Sequence, residues 1–398
     1  MSDLNELLAD IGDRARTYDV TERALAGGKR RRARRHATLA GATGALAVAA
    51  LLAAVSVPFG RPAPEPAVVV SPSPTACTVA ELPTPDGVRP DRFTGLTGDP
   101  TGRILAARGE TATGAIVAIW IDGRPSAVFS VPDTVDFVAA VSSTGTLVLS
   151  GKQEKGTLGE VRYTGMAWVY KGGTLTRLKG QDVLGAGINA AGAVVGLLGW
   201  SPVVWQDAAA EPVRLPVPGG LRTGHPMAIA DDGSVVAPIF QDGSARLHLW
   251  PPGGSPRPLI LPAAVDGVPV FDSAVDRIAD GWISGTFITR ADGTSYRYAA
   301  RWKPDTGTIE WSAGPGRATV TNPQGWSVHQ ATGGLVLARE DVAVDVPGLP
   351  DYPLTAQPFA SDWPRVTVLS PDGRTLAGVQ ITQAQGAPIR HVLSWTCR

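Results

Sequence analysis

The sequence predicts an all-β fold, a seven-bladed β-propeller that follows an N-terminal transmembrane helix and a Pro-rich linker. Three observations predict it. Glycine turns followed by short apolar strands recur about every 45 residues, tryptophans keep nearly the same beat, and one uncharged apolar run precedes the first repeat. Turn formers are abundant, with 47 Gly and 34 Pro in 398 residues, while a hydrophobic fraction of 43% against 18% charge supplies a large core. Lys plus Arg equals Asp plus Glu at 36 each, so no basic excess exists to draw nucleic acid.

The repeating unit is clearest from Ile188 to Pro216, INAAGAVVGLLGWSPVVWQDAAAEPVRLP. Read with period 2, it holds an apolar strand, a polar turn over Asn189 to Gly192, a second strand at Val194, Val195 and Gly196, a third ending in Trp205, and a fourth around Val213 to Leu215. Turn glycines of this kind fall at Gly102, Gly145, Gly192, Gly233, Gly281, Gly334 and Gly373, spaced 43, 47, 41, 48, 53 and 39 residues apart. The third strands end in Trp120, Trp168, Trp205, Trp250, Trp302 and Trp395, spaced 48, 37, 45, 52 and 93. The last gap is twice the others, so the blade around Gly334 lacks its Trp and has VAVDVP in that slot. Seven repeats of four strands follow. Such blades must form a ring, because each buries its faces only against its neighbours, and the Trp is read as core wedged between them.

Ordinary repeats end the fourth strand in Leu-Pro, as at Leu215-Pro216 and Leu261-Pro262, but only Thr396, Cys397 and Arg398 follow Trp395. Cys77 to Pro83, CTVAELP, carries the same ending ahead of the first blade. It is expected to be the outer strand of the seventh blade and to close the ring. That pairing brings Cys77 to Cys397, the two cysteines of the chain, and in an exported protein they are expected to form a disulfide.

Three segments precede the propeller of residues 77–398. Residues 1–36 are a polar cytoplasmic head in which Leu4, Leu7, Leu8 and Ile11 share one helical face; it closes on the basic flank KRRRARR, Lys29 to Arg35. Residues 37–57, Ala37 to Val57, carry no charge and are long enough for a helix to cross a hydrocarbon core of roughly 30 Å. Lys29, Arg30, Arg31, Arg32, Arg34 and Arg35 precede this span and Arg61 alone closely follows it, which places the N-terminus in the cytoplasm and the propeller outside. A cleaved signal peptide is the alternative, but the head is long for one and the apolar run exceeds the usual roughly 7 to 15 residues. Residues 58–76 are a Pro-rich spacer with no core of its own. The expected location is the cell membrane, single-pass, with the propeller extracellular.

Motifs of catalysis and metal binding are not found. His36, His225, His248, His329 and His391 are scattered singly, and there is no Gly-x-Ser-x-Gly elbow, HExxH, CxxC or Asp-x-Asp-x-Asp-Gly loop. No catalytic, metal or cofactor-binding residue is assigned, and no cofactor is expected. Asp231 and Asp232 read as turn residues, and Ser370-Pro371-Asp372-Gly373 lacks the aromatic of a sialidase-like Asp-box. Asp133, Asp136, Asp272 and Asp276 lie in connections between blades, where carboxylates could converge on a channel mouth; solvated loop charge is the plainer reading.

The run Ile188-Asn189-Ala190-Ala191-Gly192-Ala193-Val194-Val195-Gly196, followed by a Trp and a Leu-Pro strand, resembles the repeats of bacterial extracytoplasmic HAF-repeat and other WD40-like propeller proteins over about residues 77 to 398. Elsewhere Asp99, Ser143 or Asp232 replaces the Asn, and no Trp-Asp dipeptide occurs. The order of head, basic flank, Ala-rich span, spacer and propeller also resembles membrane-anchored proteins of actinobacteria. The resemblance implies fold and placement, and brings no catalytic motif. The functional expectation is a binding or scaffolding module whose partner is a protein or saccharide outside the membrane, with no nucleic acid. Two alternatives stand beside it. One is a hydrolase or lyase acting on an extracellular or cell-wall saccharide, which three or more ionisable side chains at one mouth of the ring would favour. The other is a transmembrane sensor that reports through the Leu4 to Ile11 helix.

Overall fold

The computed structural model describes residues 72–155, 162–291, 293–312, 317–331, 334–350, 365–384 and 387–398. The head, the Ala37 to Val57 span and residues 58–71 of the spacer lie outside these residues. Among the described residues, no helix is long and apolar enough to cross a membrane.

The described residues form seven antiparallel sheets, the seven blades. Their inner strands, in chain order, are Thr94–Gly98, Val135–Val141, Val183–Ile188, the split pair Arg222–Thr223 and Ala228–Ile229, Val268–Ala279, Arg317–Thr321 and Arg365–Leu369. Further strands pair outward from each by hairpins, and apolar residues on both faces of a sheet pack against the blades on either side. The first described strand, Cys77–Glu81, pairs with Ala387–Cys397 and so becomes the outer strand of the seventh blade. The register sets Cys77 opposite Cys397, and a disulfide joins them.

Five of the tryptophans make the same hydrogen bond to the neighbouring blade. The indole nitrogens of Trp120, Trp205, Trp250, Trp302 and Trp395 donate to the carbonyls of Pro83, Lys179, Pro216, Ile260 and Pro347, at 2.8, 3.0, 2.8, 2.8 and 2.7 Å. Each acceptor directly follows the apolar residue that ends the preceding blade's outer edge: Leu82, Leu178, Leu215, Leu259 and Val346. A buried indole must satisfy its N–H, and here it does so across the seam between blades.

The expected markers of the sixth and second blades need correction. The sixth blade turns at Gly325, not Gly334: Ser327–Ala331 is its second strand, Gly334–Arg339 its third and Val342–Val346 its fourth. With Gly325 in place the six spacings all lie between 41 and 48 residues, tighter than those read from the sequence. The error arose because LVLA after Gly334 imitates a second strand, while Trp326 hides the true one. In the second blade Trp168 sits deeper in its strand than the other tryptophans. The residue two places after Gly145 pairs with Tyr170, just as those two places after Gly192 and Gly233 pair with Trp205 and Trp250. Tyr170 stacks on Phe129 of the first blade at 3.7 Å between ring centroids.

In five of the seven blades the polar residue at the turn is a cap. Side-chain oxygens of Asp99, Ser142, Asn189, Asn322 and Ser370 accept the N–H of Ile104, Thr146, Ala193, Trp326 and Thr375 at 2.8 to 3.0 Å. The cap of the second blade is therefore Ser142 rather than Ser143. In the fourth blade Ala230 holds the position, and Asp232 caps Ser234 two residues on. Asn189 and Asn322 also donate to Ala230 and Ser370 of the following blade, at 3.1 and 2.7 Å, which locks neighbouring turns together.

Candidate functional site

Inner strands surround the propeller axis, so the side chains they turn away from the seams line its channel. In all but the fourth blade the inner strand carries a β-bulge, three residues before its last residue or turn cap; the inserted residues include Ala139, Ala186, Asp276, Thr319 and Thr367. A bulge re-aims the side chain it inserts. Two residues before the bulge the strand leans close to its neighbour. There a Cβ on Gly196, Gly285 or Gly378 would collide with the carbonyl of Leu184, Ala274 or Arg365. The terminal Gly of the AVVG, ISG and TLAG motifs is thus required by close approach of two backbones.

At this upper level, five residues before the turn, the first three blades present Thr94, Phe137 and Leu184, all half-buried. The fourth, sixth and seventh present His225, Arg317 and Arg365, all exposed. Neither Arg317 nor Arg365 has an ion-pair partner among the described residues. Arg297, on the third strand of the fifth blade, lies near enough to Arg317 for the two cations to repel; burial first, and then Arg317, lower its pKa. Its Nε is buried and has no hydrogen-bond partner among the described residues.

One level deeper stands Asp276, whose carboxylate accepts the Thr321 N–H at 2.9 Å and the Thr321 hydroxyl at 3.0 Å. Its side chain is exposed to water within the channel, while the protein atoms packed around it disfavour its charge. That confinement pushes its pKa up to about 6, against the pull of the Thr321 hydrogen bonds and of Arg297 and Arg277. The same confinement lowers the pKa of His225 and holds it neutral at pH 7. At the turn end Arg277 crosses the axis. From the fifth blade it donates through Nη1 to the Pro100 carbonyl of the first, at 2.8 Å, and to Leu369 of the seventh at 3.5 Å. Its guanidinium narrows that end of the channel, so a ligand would approach the inner strands from the opposite mouth.

Of the four carboxylates singled out in the sequence, Asp276 alone faces the channel at depth. Asp133 and Asp272 hold the N–H of Ala115 and Ala245, at 3.3 and 3.2 Å, where the third strand of the preceding blade begins. Asp136 is exposed on the second inner strand and its carbonyl accepts from Thr94. Among the histidines, His248 bonds the Arg246 carbonyl of its own strand at 3.0 Å. His329 lies 2.7 Å from the Ser327 hydroxyl, but both are buried, Ser327 also bonds Ala338, and no substrate can reach the pair. His391 links Thr382 to Glu81 across the closing strands, at 2.9 and 3.1 Å, with the hydroxyl again buried. No group of three or more His, Cys, Asp or Glu able to hold a metal occurs among the described residues. Sequence reasoning missed Arg277, Arg297, Arg317 and Arg365. Counting back from each turn cap would have found two of them, because Arg317 and Arg365 stand at one offset from Asn322 and Ser370.

No family model matches the chain, and no curated protein matches it. Among solved structures, the chain is similar to the β-propeller domain of the Trilobed protease from Pyrococcus furiosus, described as having an open velcro topology, at 11% identity and TM-score 0.39 over 55% of this chain and 68% of that one. It is also similar to a protein of unknown function from Dyadobacter fermentans, at 12% identity and TM-score 0.40 over 79% and 100%. A chain of the Mitotic Checkpoint Complex matches at 14% identity and TM-score 0.42 over 88% and 98%.

Proposed function

We propose that this protein is a membrane-anchored, extracytoplasmic binding module whose ligand enters the axial recess from the mouth opposite Arg277. The observation that carries the reading is Arg317 and Arg365, exposed at one level of the channel and without ion-pair partners among the described residues. Charges placed to serve the fold are paired or capped, as Asp99, Asp133 and Asp272 are. Two guanidiniums turned into one channel suit an anionic group that enters it. Export is supported by the disulfide, which persists in an oxidising compartment, and by the basic flank ahead of Ala37 to Val57. Binding is favoured over saccharide hydrolysis because the mouth is cationic, whereas glycosidase chemistry uses two facing carboxylates.

Export is tested on intact cells with a membrane-impermeant lysine reagent. Labelling of Lys171 and Lys303 in the propeller with Lys29 spared supports the reading; labelling of Lys29 alone overturns it. Ligand entry is tested with Ala139→Phe, which fills the recess from the bulge of the second blade. Stabilisation of the wild-type chain by small molecules should disappear in this variant.

A further inference from the structure

Resting on that reading, we propose that the ligand is an organic anion, its charged end held by Arg297, Arg317 and Arg365 and its apolar body laid along Phe137 and Leu184.

The recess has two unlike walls. The first three blades present the uncharged Thr94, Phe137 and Leu184 at the upper level, with Ala139 at the bulge below; Asp136, exposed beside Phe137, is a carboxylate at the same level. The later blades supply the cations. Arg297 and Arg317 are neighbouring guanidiniums, and repulsion between them is relieved by a shared acceptor. The buried Arg297 Nε is a donor with no acceptor among the described residues, a costly arrangement that a carboxylate or phosphate oxygen would complete. Guanidinium forks suit such oxygens because their N–H groups lie parallel and can engage two at once.

The rim continues the same chemistry. Trp200, 60% exposed in a hairpin of the third blade, lies under the Arg222 guanidinium at 5.6 Å, and the Trp200 carbonyl accepts from Thr223. An aromatic face beside a cation suits a molecule that is apolar along one side and negative at one end. Arg277, standing across the far end, disfavours a polymer threaded through the axis and favours a short ligand that enters end-on.

The test is calorimetric titration of the full chain with inorganic phosphate, phenyl phosphate, benzoate and the uncharged phenyl glucoside. Phenyl phosphate and benzoate should bind more tightly than inorganic phosphate, weaken as salt rises, and bind roughly tenfold more weakly to Arg317→Gln/Arg365→Gln. Phe137→Ala should weaken phenyl phosphate and leave inorganic phosphate unchanged. Phenyl glucoside should not bind. If phenyl glucoside binds, Ala139→Phe abolishes that binding and neither anion competes, the anion assignment is overturned while the recess remains a ligand site. If anion binding survives both Ala139→Phe and the arginine double variant, the recess is not the site and both readings fall. Failure of all four probes to bind the wild-type chain overturns the inference as well.

Discussion

The first three blades and the last four are built on the same repeat but treat the axis differently. In the first three, the inner strands carry the uncharged Thr94, Phe137 and Leu184 five residues before the turn; the turn caps do not divide the ring this way, since Asn322 and Ser370 bind as Asp99, Ser142 and Asn189 do. In the last four, the fourth inner strand is split around His225 and Pro226, the fifth is extended to Val268–Ala279 with Asp276 in its bulge, and the sixth and seventh open on Arg317 and Arg365. The outer layers do not share this asymmetry. The Trp to carbonyl bond recurs at five seams on both sides of the ring, as Trp205 to Lys179 in one half and Trp302 to Ile260 in the other. Stability is thus spread evenly over the ring, while irregularity and charge gather on one side of its axis.

Substitutions that break the shared framework should have the largest effects, in either half alike. Trp205→Ala and Trp302→Ala each empty a buried seam and orphan a carbonyl, and each should cost about 3 to 5 kcal/mol in urea unfolding; a large inequality between them would contradict an evenly stabilised ring. Cys77→Ser opens a closure that spans 320 residues, and should cost up to about 5 kcal/mol, with dithiothreitol lowering the wild-type Tm to match. An unchanged Tm would show that strand pairing alone keeps the ring shut.

Effects peculiar to the charged half should be smaller. Arg277→Ala removes the guanidinium that ties the fifth blade to the first and seventh, and should cost about 2 kcal/mol. Asp276→Asn should act through pH. The folded carboxyl keeps its proton up to about pH 6, whereas its ordinary pKa is 3.8. Its contribution to stability is therefore fully present below 3.8 and is lost as pH rises through about 6. Urea midpoints of the wild type should fall relative to Asp276→Asn over that window and run parallel above it. The groups facing this carboxyl are Arg277 on its own strand, Arg297 on the third strand of its blade, and Thr321 of the sixth blade. Smallest of all, Arg317→Gln should move stability by no more than about 0.5 kcal/mol, because the side chain is exposed and has no ion-pair partner among the described residues.

What the sequence made legible follows the same division. Blade number, strand order within a blade and the Cys77–Glu81 closure could be read because they depend on local rules: period 2 in the strands, Gly at the turns, and a Leu-Pro ending that recurs ahead of the first blade. The sixth blade was misread because its turn, NPQGW, puts a Trp where other repeats put a small apolar residue, and Gly334 with LVLA looked more regular. The site was legible only in part. Asp276 was named for its charge, but nothing local tells it from Asp272, which caps the neighbouring blade. The bulge that separates their roles is a property of strand pairing, and the reach of Arg277 from the fifth blade to Pro100 joins residues 177 apart in sequence.

The most direct measurement compares the wild-type chain with Arg317→Gln/Arg365→Gln by urea unfolding, with and without phenyl phosphate. We expect equal midpoints without the anion, and a rise with it in the wild type alone. A double variant that unfolds well below the wild type, or one that phenyl phosphate stabilises as strongly, would show that the charged wall belongs to the fold rather than to a ligand.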